Sequence, residues 1–422
     1  RFYQEFDPKL PKNRLMVESF KGRPYFNISL LSEMLRKWGL PTKLLRDSMG
    51  GSFEKDYDLN FGRILANWRV YLKIFLSQLV IKKKTKAAIN YFSSLRNSKA
   101  KNTSHLIQKT EKIYTTLVHQ MLMHTMVMAG PIAVLRYFKT LNTYLENHIT
   151  PGTRILKDLT PLFDLIENNP RFKDSLLKGK IPDDNEFNIL WKEYIKNHGH
   201  RGIYESDISQ PRFRENYGYI LKLLSIGRPF KQKKNVQNFF SLITLPIWWV
   251  LRPLLYAREN MRYEAMKAFE SVREEWLNIE KNMKKEGLIP EFASIWNLEI
   301  SELKNLNPQK HYSEISYKKR VNEIETNKKY NLPNMMKRNT FLSPFEEGYD
   351  SSKSKSTFFG LSLTSGIVKG RAWVVNSPNL EFPNTFNKQT TILIAPAVDA
   401  GWIPTFSQVS GAAVETGGDL SH

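Results

Sequence analysis

Apolar residues recur at helical spacing from about Phe61 to Ala129 and again from Arg258 to Glu286, and after residue 357 the period changes. That change divides the chain into a long helical part and a short β-rich part. Trp68, Tyr71, Leu72, Phe75 and Leu79 fall at helical spacing, and His105–Met128 reads as a further helix with Leu117, Met121 and Met128 inside. Such Met and aromatic stripes read as core. Pro131 is expected to start a new helical segment. Arg258–Glu286 places Met261, Ala265, Phe269, Val272, Trp276 and Ile279 on one face, with Glu280 and Lys284 as an i,i+4 pair and Gly287 as the stop. Nearer the N-terminus, Arg14–Phe20 and Pro24–Ile28 read as two strands around Lys21-Gly22-Arg23, and Leu30–Trp38 as a helix ending at Gly39.

Residues 331–357 are rich in Pro, Ser, Asn, Gly and charge, and read as an interdomain linker. Short β-branched runs follow at Ala372–Val375 and Thr390–Ala395. The expected fold class is therefore α+β and multidomain. A mostly helical domain with a short β element spans 1–330, the linker 331–357, and a β-rich module 358–422.

A chain of 422 residues is long enough for two or three domains, and its 41% hydrophobic content is enough for real cores. With no cysteine, disulfides, thiol nucleophiles and cysteine-rich zinc sites are excluded. The net charge of +22 invites a nucleic-acid reading, but the lysines are scattered, densest at Lys82–Lys84 and Lys231–Lys234. A solvated basic surface that attracts anionic substrates is the better account. Phe239–Leu251 is uncharged and contains Trp248, Trp249 and Pro246. It falls short of the ~20 residues a spanning helix needs, so a buried helix or helix pair is expected, with an interfacial membrane contact as the minor reading. No P-loop and no zinc-ligand histidine pair stand out, and no metal-binding residue is assigned.

Two clusters carry chemistry. The last six residues read Gly417-Gly418-Asp419-Leu420-Ser421-His422. A Gly-Gly turn brings backbone N–H groups close to an anion, next to a nucleophilic imidazole. The second cluster is Asn197-His198-Gly199-His200-Arg201-Gly202, followed by Glu205, Asp207 and Pro211-Arg212. Arg201 or Arg212 could clamp an anion, and either histidine could act as acid or base. The alternative is a structural corner in which buried Arg and Glu satisfy each other. The residues alone leave the two evenly balanced.

Ser365-Gly366, Gly370-Arg371-Ala372, Ile392–Pro396, Asp399–Pro404, Glu415, Gly417-Gly418 and Ser421-His422 resemble, in order and spacing, the phosphohistidine (PEP-utilising mobile) domain. That domain occurs in phosphoenolpyruvate synthases, pyruvate phosphate dikinases and rifampicin phosphotransferases. One departure is Val414, where the family usually has threonine. Gly199–Gly202, Glu205, Asp207 and Pro211-Arg212-Phe213 resemble a block of the same family's helical substrate-receiving domain. Arg258-Glu259 with Arg262, Gly287–Ile289 and Ile295–Leu298 resemble the segments that follow it.

The resemblance implies an incomplete β/β/α swivelling phosphohistidine domain after the helical substrate domain. It implies that His422 carries a phosphoryl group, with Gly417, Gly418 and Ser421 holding phosphate. His200 is expected to activate an acceptor hydroxyl, and Arg201, Glu205, Asp207 and Arg212 to bind substrate. ATP and Mg2+ are expected on an ATP-grasp domain, in the same longer chain or a separate subunit, since no such signature is present here. The chain reads as an internal fragment, inactive alone and cytoplasmic, with a small-molecule acceptor as partner. Nucleic acid and membrane are not expected partners. Within the class, phosphoenolpyruvate synthesis and antibiotic phosphorylation remain open, as does a non-catalytic scaffold that has lost its ATP domain.

Overall fold

The computed structural model describes residues 2–10, 15, 17–21, 23–43, 57–145, 151–228, 239–304, 314–330, 367–375, 387–398, 402–406 and 408–416. The expected linker 331–357 and the lysines at 231–234 lie outside the described residues. The chain forms two compact units, one from 1–71 with 276–362, the other from 72–275 with 363–422.

In the first unit, strands β1 (Val17–Phe20) and β2 (Arg23–Phe26) pair antiparallel with Phe20 opposite Arg23, as the turn at Lys21 predicts. Helix Ile28–Trp38 follows. Asn27 caps it by accepting from Leu30 N–H, and Gly39 ends it at φ 84°. Its apolar face buries Leu31, Met34, Leu35 and Trp38. The Trp38 Nε1–H donates to Asp7 Oδ2 at 3.1 Å, and Lys37 pairs with the same oxygen at 2.7 Å. In the C-terminal part of this unit, Glu280 accepts from Ile295 N–H at 2.9 Å and pairs with Lys284 at 2.8 Å.

The second unit is built on long helices. Thr103–Tyr137 is continuous through Pro131, which corrects the expected break there. A proline lacks the N–H that would bond the carbonyl four residues back, that of Val127. Gln78 Nε2 donates to that Val127 carbonyl at 3.2 Å, so the orphaned acceptor is satisfied from a neighbouring helix. Gln78→Leu should cost about 1 kcal/mol, read as a lower urea midpoint, and little in a Pro131→Ala background.

The stripe from Trp68 to Leu79 is a second correction. Trp68, Leu72, Phe75 and Leu79 are exposed, whereas helix Trp68–Asn97 buries Val70, Ile81, Thr85, Ala88 and Phe92. The buried positions repeat at helical spacing two residues out of phase with that stripe, so the apolar period is read correctly and its face is not. Phe239–Lys285 is one helix through Pro246 and Pro253, the single-helix form of what the sequence predicts. Ser241, Thr244, Trp248, Leu251, Leu254 and Leu255 face inward, while Phe239, Leu242, Ile243, Trp249 and Val250 are exposed. The later part of the same helix buries Met261, Ala265, Phe269, Val272 and Trp276 as expected. By length and apolarity both Thr103–Tyr137 and Phe239–Lys285 could cross a membrane, and 39% and 33% of their most apolar stretches are buried in the fold.

A shorter-helix layer packs around Phe163, Phe187, Trp191, Tyr194, Phe213 and Leu221. The β-rich module has three parallel strands in the order β3-β4-β5: β3 Arg371–Val374, β4 Thr391–Ala397 and β5 Gly411–Thr416. Its core is Trp373, Leu393, Ala395 and Trp402. The module meets the helical layer at the end of helix Gly218–Ile226. There the Gly227 carbonyl accepts from Lys388 Nζ at 3.2 Å and from Gln408 Nε2 at 3.0 Å. An ammonium at a helix C-terminus also complements the helix dipole.

Candidate functional site

Helix Asn185–His198 starts at an Asp184 cap and delivers His198 into the interior. The chain then turns through Gly199 to Gly202 and folds back over 211–214. Phe213 N–H donates to the Arg201 carbonyl at 2.7 Å, and Arg214 N–H to the Gly199 carbonyl at 3.0 Å. The two backbones run so close that a Cβ at Gly202 would sit 2.7 Å from the Pro211 carbonyl, and one at Gly199 2.4 Å from the Ile195 carbonyl. Only glycine fits at either position.

Glu205 is the hub of this corner. Its carboxylate accepts from Arg201 Nε and, at 2.9 Å, from Arg201 Nη2, and it pairs with Arg262 at 3.1 Å. Its backbone carbonyl accepts from Arg212 Nη1 at 2.7 Å. Glu205, Arg201 and Arg212 are all buried. Burial alone would raise the Glu205 pKa, but Arg201 and then Arg262 hold it below the ordinary carboxylate range. Arg212 keeps two buried donors, Nε and Nη2, without a partner. On the far side, Arg273 grips Glu215 in a two-point contact of 2.8 and 2.7 Å and donates to the Ile208 carbonyl.

Both histidines are buried. His198 Nε2 lies 2.8 Å from Asp158 Oδ2. The His200 ring stands edge-on to Tyr263 at 4.6 Å, and its Nε2 is buried without a partner. Burial first, then the neighbouring Arg201 and Lys267, push the His200 pKa well below its ordinary value. The ring is neutral at pH 7 and its lone pair can accept a proton, though only as a weak base.

The structure thus brings His200, Arg201, Glu205 and Arg212 together. Asp207 is exposed, and its carboxylate accepts from Ser209 N–H at 2.8 Å and Gln210 Nε2 at 3.3 Å, closing a turn of its own. Gly417, Gly418, Ser421 and His422 lie outside the described residues. Asp158, Tyr263 and Arg273 join the corner from 40 or more residues away, for example His198 to Asp158 at a separation of 40, whereas Glu215 follows Arg212 closely in the chain. Arg262 had a signal in the sequence, its place in the Arg-Glu-x-x-Arg segment, whereas Asp158 had none. Among the described residues no group of three or more His, Asp or Glu is placed to hold a metal ion.

Residues 113–228, which include His198–Arg212 and Asp158 but not Arg262, Tyr263 or Arg273, match the family model of the rifampicin phosphotransferase fourth domain. A rifampicin phosphotransferase from Streptomyces sviceus is 20% identical over 278 residues, covering 60% of this chain and 31% of that relative. The two matches support the resemblance to the rifampicin phosphotransferase and PEP-utilising family read from the sequence. The chain spans less than a third of the length of this curated relative.

Proposed function

We propose that the chain is part of an ATP-dependent phosphotransferase in which a phosphoryl group rides on His422 and passes to an acceptor in the helical domain. The match of residues 113–228 to the fourth domain of rifampicin phosphotransferase is the observation that supports this reading most. In the transfer, a nitrogen–phosphorus bond forms at His422 as the phosphoryl leaves its donor. That bond then breaks as an acceptor oxygen takes the phosphoryl, and the acceptor's proton goes to a base. We assign that base to His200, whose ring burial keeps neutral at pH 7. Arg201, Glu205, Arg262 and Arg212 keep the His200 turn rigid, which positions the base. Asp207 would act only as a turn residue near the substrate. ATP and Mg2+ belong to an ATP-grasp domain elsewhere in a longer chain or in a partner subunit, and the setting is cytoplasmic. Phosphoenolpyruvate-synthase-like chemistry is the first reading. Phosphorylation of an antibiotic hydroxyl is the second, because the matched family and relative both carry rifampicin in their names.

The native protein at its full length, incubated with ATP labelled at the β-phosphorus, should take up acid-labile label on His422. His422→Ala should abolish it. His200→Ala should keep the label on His422 but slow acceptor turnover by about 10²–10⁴-fold. No histidine label in the native protein sinks the relay, and full turnover in His200→Ala removes that residue's role.

A further inference from the structure

Beside the Glu205 corner lies a cleft of about 240 Å3, walled by Pro151, Arg154, Asp158, Asn197, His198, Asn260 and Tyr263. Apart from Pro151 these side chains are polar, one carrying a guanidinium and one a carboxylate. The space is small beside the roughly 300–1,000 Å3 of pockets that take drug-sized ligands.

A buried histidine stands behind the carboxylate. His198 is 2% exposed, whereas the Asp158 side chain is 41% exposed. A carboxylate can only accept, so His198 Nε2–H donates to Asp158 across their 2.8 Å contact. Burial holds the His198 pKa below its ordinary value despite the Asp158 bond, so the ring is neutral and this is its one N–H. Its Nδ1 is buried without a partner. The imidazole therefore fixes the carboxylate from behind while leaving it acceptor capacity toward the cleft. The opposite wall is also held: the Tyr263 hydroxyl donates to the Asn197 carbonyl at 2.7 Å, and its ring packs on His200.

We propose that this cleft binds a small hydroxylated carboxylate, with Arg154 taking the ligand's carboxylate and Asp158, positioned by His198, accepting the hydrogen of its hydroxyl. A planar guanidinium matches a carboxylate in a two-point contact. A hydroxyl is the group that gives Asp158 a hydrogen; a second carboxylate there would be repelled. A neutral polyol would leave Arg154 without its anion. Asn197 and Asn260 offer both donors and acceptors to the remaining oxygens. The site stands whether or not a phosphoryl group travels through His422.

The test uses the full chain without ATP and three probes: D-glycerate, propionate, which lacks the hydroxyls, and glycerol, which lacks the charge. Binding is read by calorimetry and by the His198 ring resonances in 15N NMR. Glycerate should bind saturably and shift the His198 signals, with propionate and glycerol at least about tenfold weaker. Arg154→Gln and Asp158→Asn should each weaken glycerate at least about tenfold at an unchanged melting temperature. His198→Gln should weaken glycerate while leaving the weak binding of propionate unchanged, which a mere loss of folding would not do. Equal binding of all three probes, glycerate binding unchanged in Asp158→Asn, or no saturable binding of glycerate would each overturn the proposal. Since no phosphoryl donor is present, these outcomes are separate from those that decide the relay.

Discussion

Glu205→Gln should destabilise the protein by about 3–5 kcal/mol, measured as a drop in urea midpoint at constant m-value. The substitution keeps the shape and removes the charge. Arg201, only 3% exposed, then keeps its charge in a buried site from which its carboxylate partner is gone. A buried ion pair contributes little compared with apolar residues of similar volume, yet breaking one side of it is expensive because the other charge is left stranded. The same argument predicts recovery: replacing Glu205 with Leu and both Arg201 and Arg262 with Met should restore much of the stability lost in Glu205→Gln. If Glu205→Gln proves neutral, Glu205 is not the hub that its contacts describe.

Acidification should destabilise the fold well before the carboxylates titrate. His124 is fully buried and its Nε2 lies 2.9 Å from the Thr85 hydroxyl. That hydroxyl already donates to the Ile81 carbonyl at 2.8 Å, so toward His124 it accepts. The hydrogen is on Nε2, and the buried Nδ1 has no partner. Protonation would place a second N–H where nothing accepts it. Burial, with the Arg258 charge second, lowers the His124 pKa to about 4. The unfolded chain, titrating near 6.5, binds more protons than the folded one between those values. Stability is therefore full above about pH 6.5 and falls as the pH drops toward 4. The loss is about 1.4 kcal/mol per pH unit, on the order of 3 kcal/mol over the window. His198 and His200, also lowered, add losses of the same sign. Urea midpoints from pH 7.5 to 4.5 should fall, and His124→Gln should flatten the curve. A midpoint that holds or rises on acidification would contradict the buried neutral His124.

Much of the fold was legible because local rules decide it. The hairpin around Lys21, the helix stopped by Gly39 and the 261–276 core face follow from turn chemistry and period. The face of helix Trp68–Asn97 did not follow, because period fixes which residues share a face but not which face meets a neighbour. Pro131 misled for a related reason: the rule that proline ends a helix assumes an orphaned carbonyl, and Gln78 supplies the missing donor. At the site, the short-range constellation from Gly199 to Arg212 was visible because four of its groups meet within thirteen residues of His200. The Glu205–Arg201 pair also shows that much of it is a satisfied corner. Asp158 was invisible, since only tertiary packing brings it to His198.

The Gln78 bond to the Val127 carbonyl also binds the history of two positions together. A proline arriving at 131 before a donor stood at 78 would have left a bare carbonyl in a helix, whereas the reverse order passes through a neutral step. Once both are present, residue 131 must change first: Gln78 is free to change only after residue 131 regains its N–H. The two sites, 49 residues apart from donor to acceptor, should therefore show sign-dependent epistasis, in which the tolerated order of substitutions is set by one hydrogen bond.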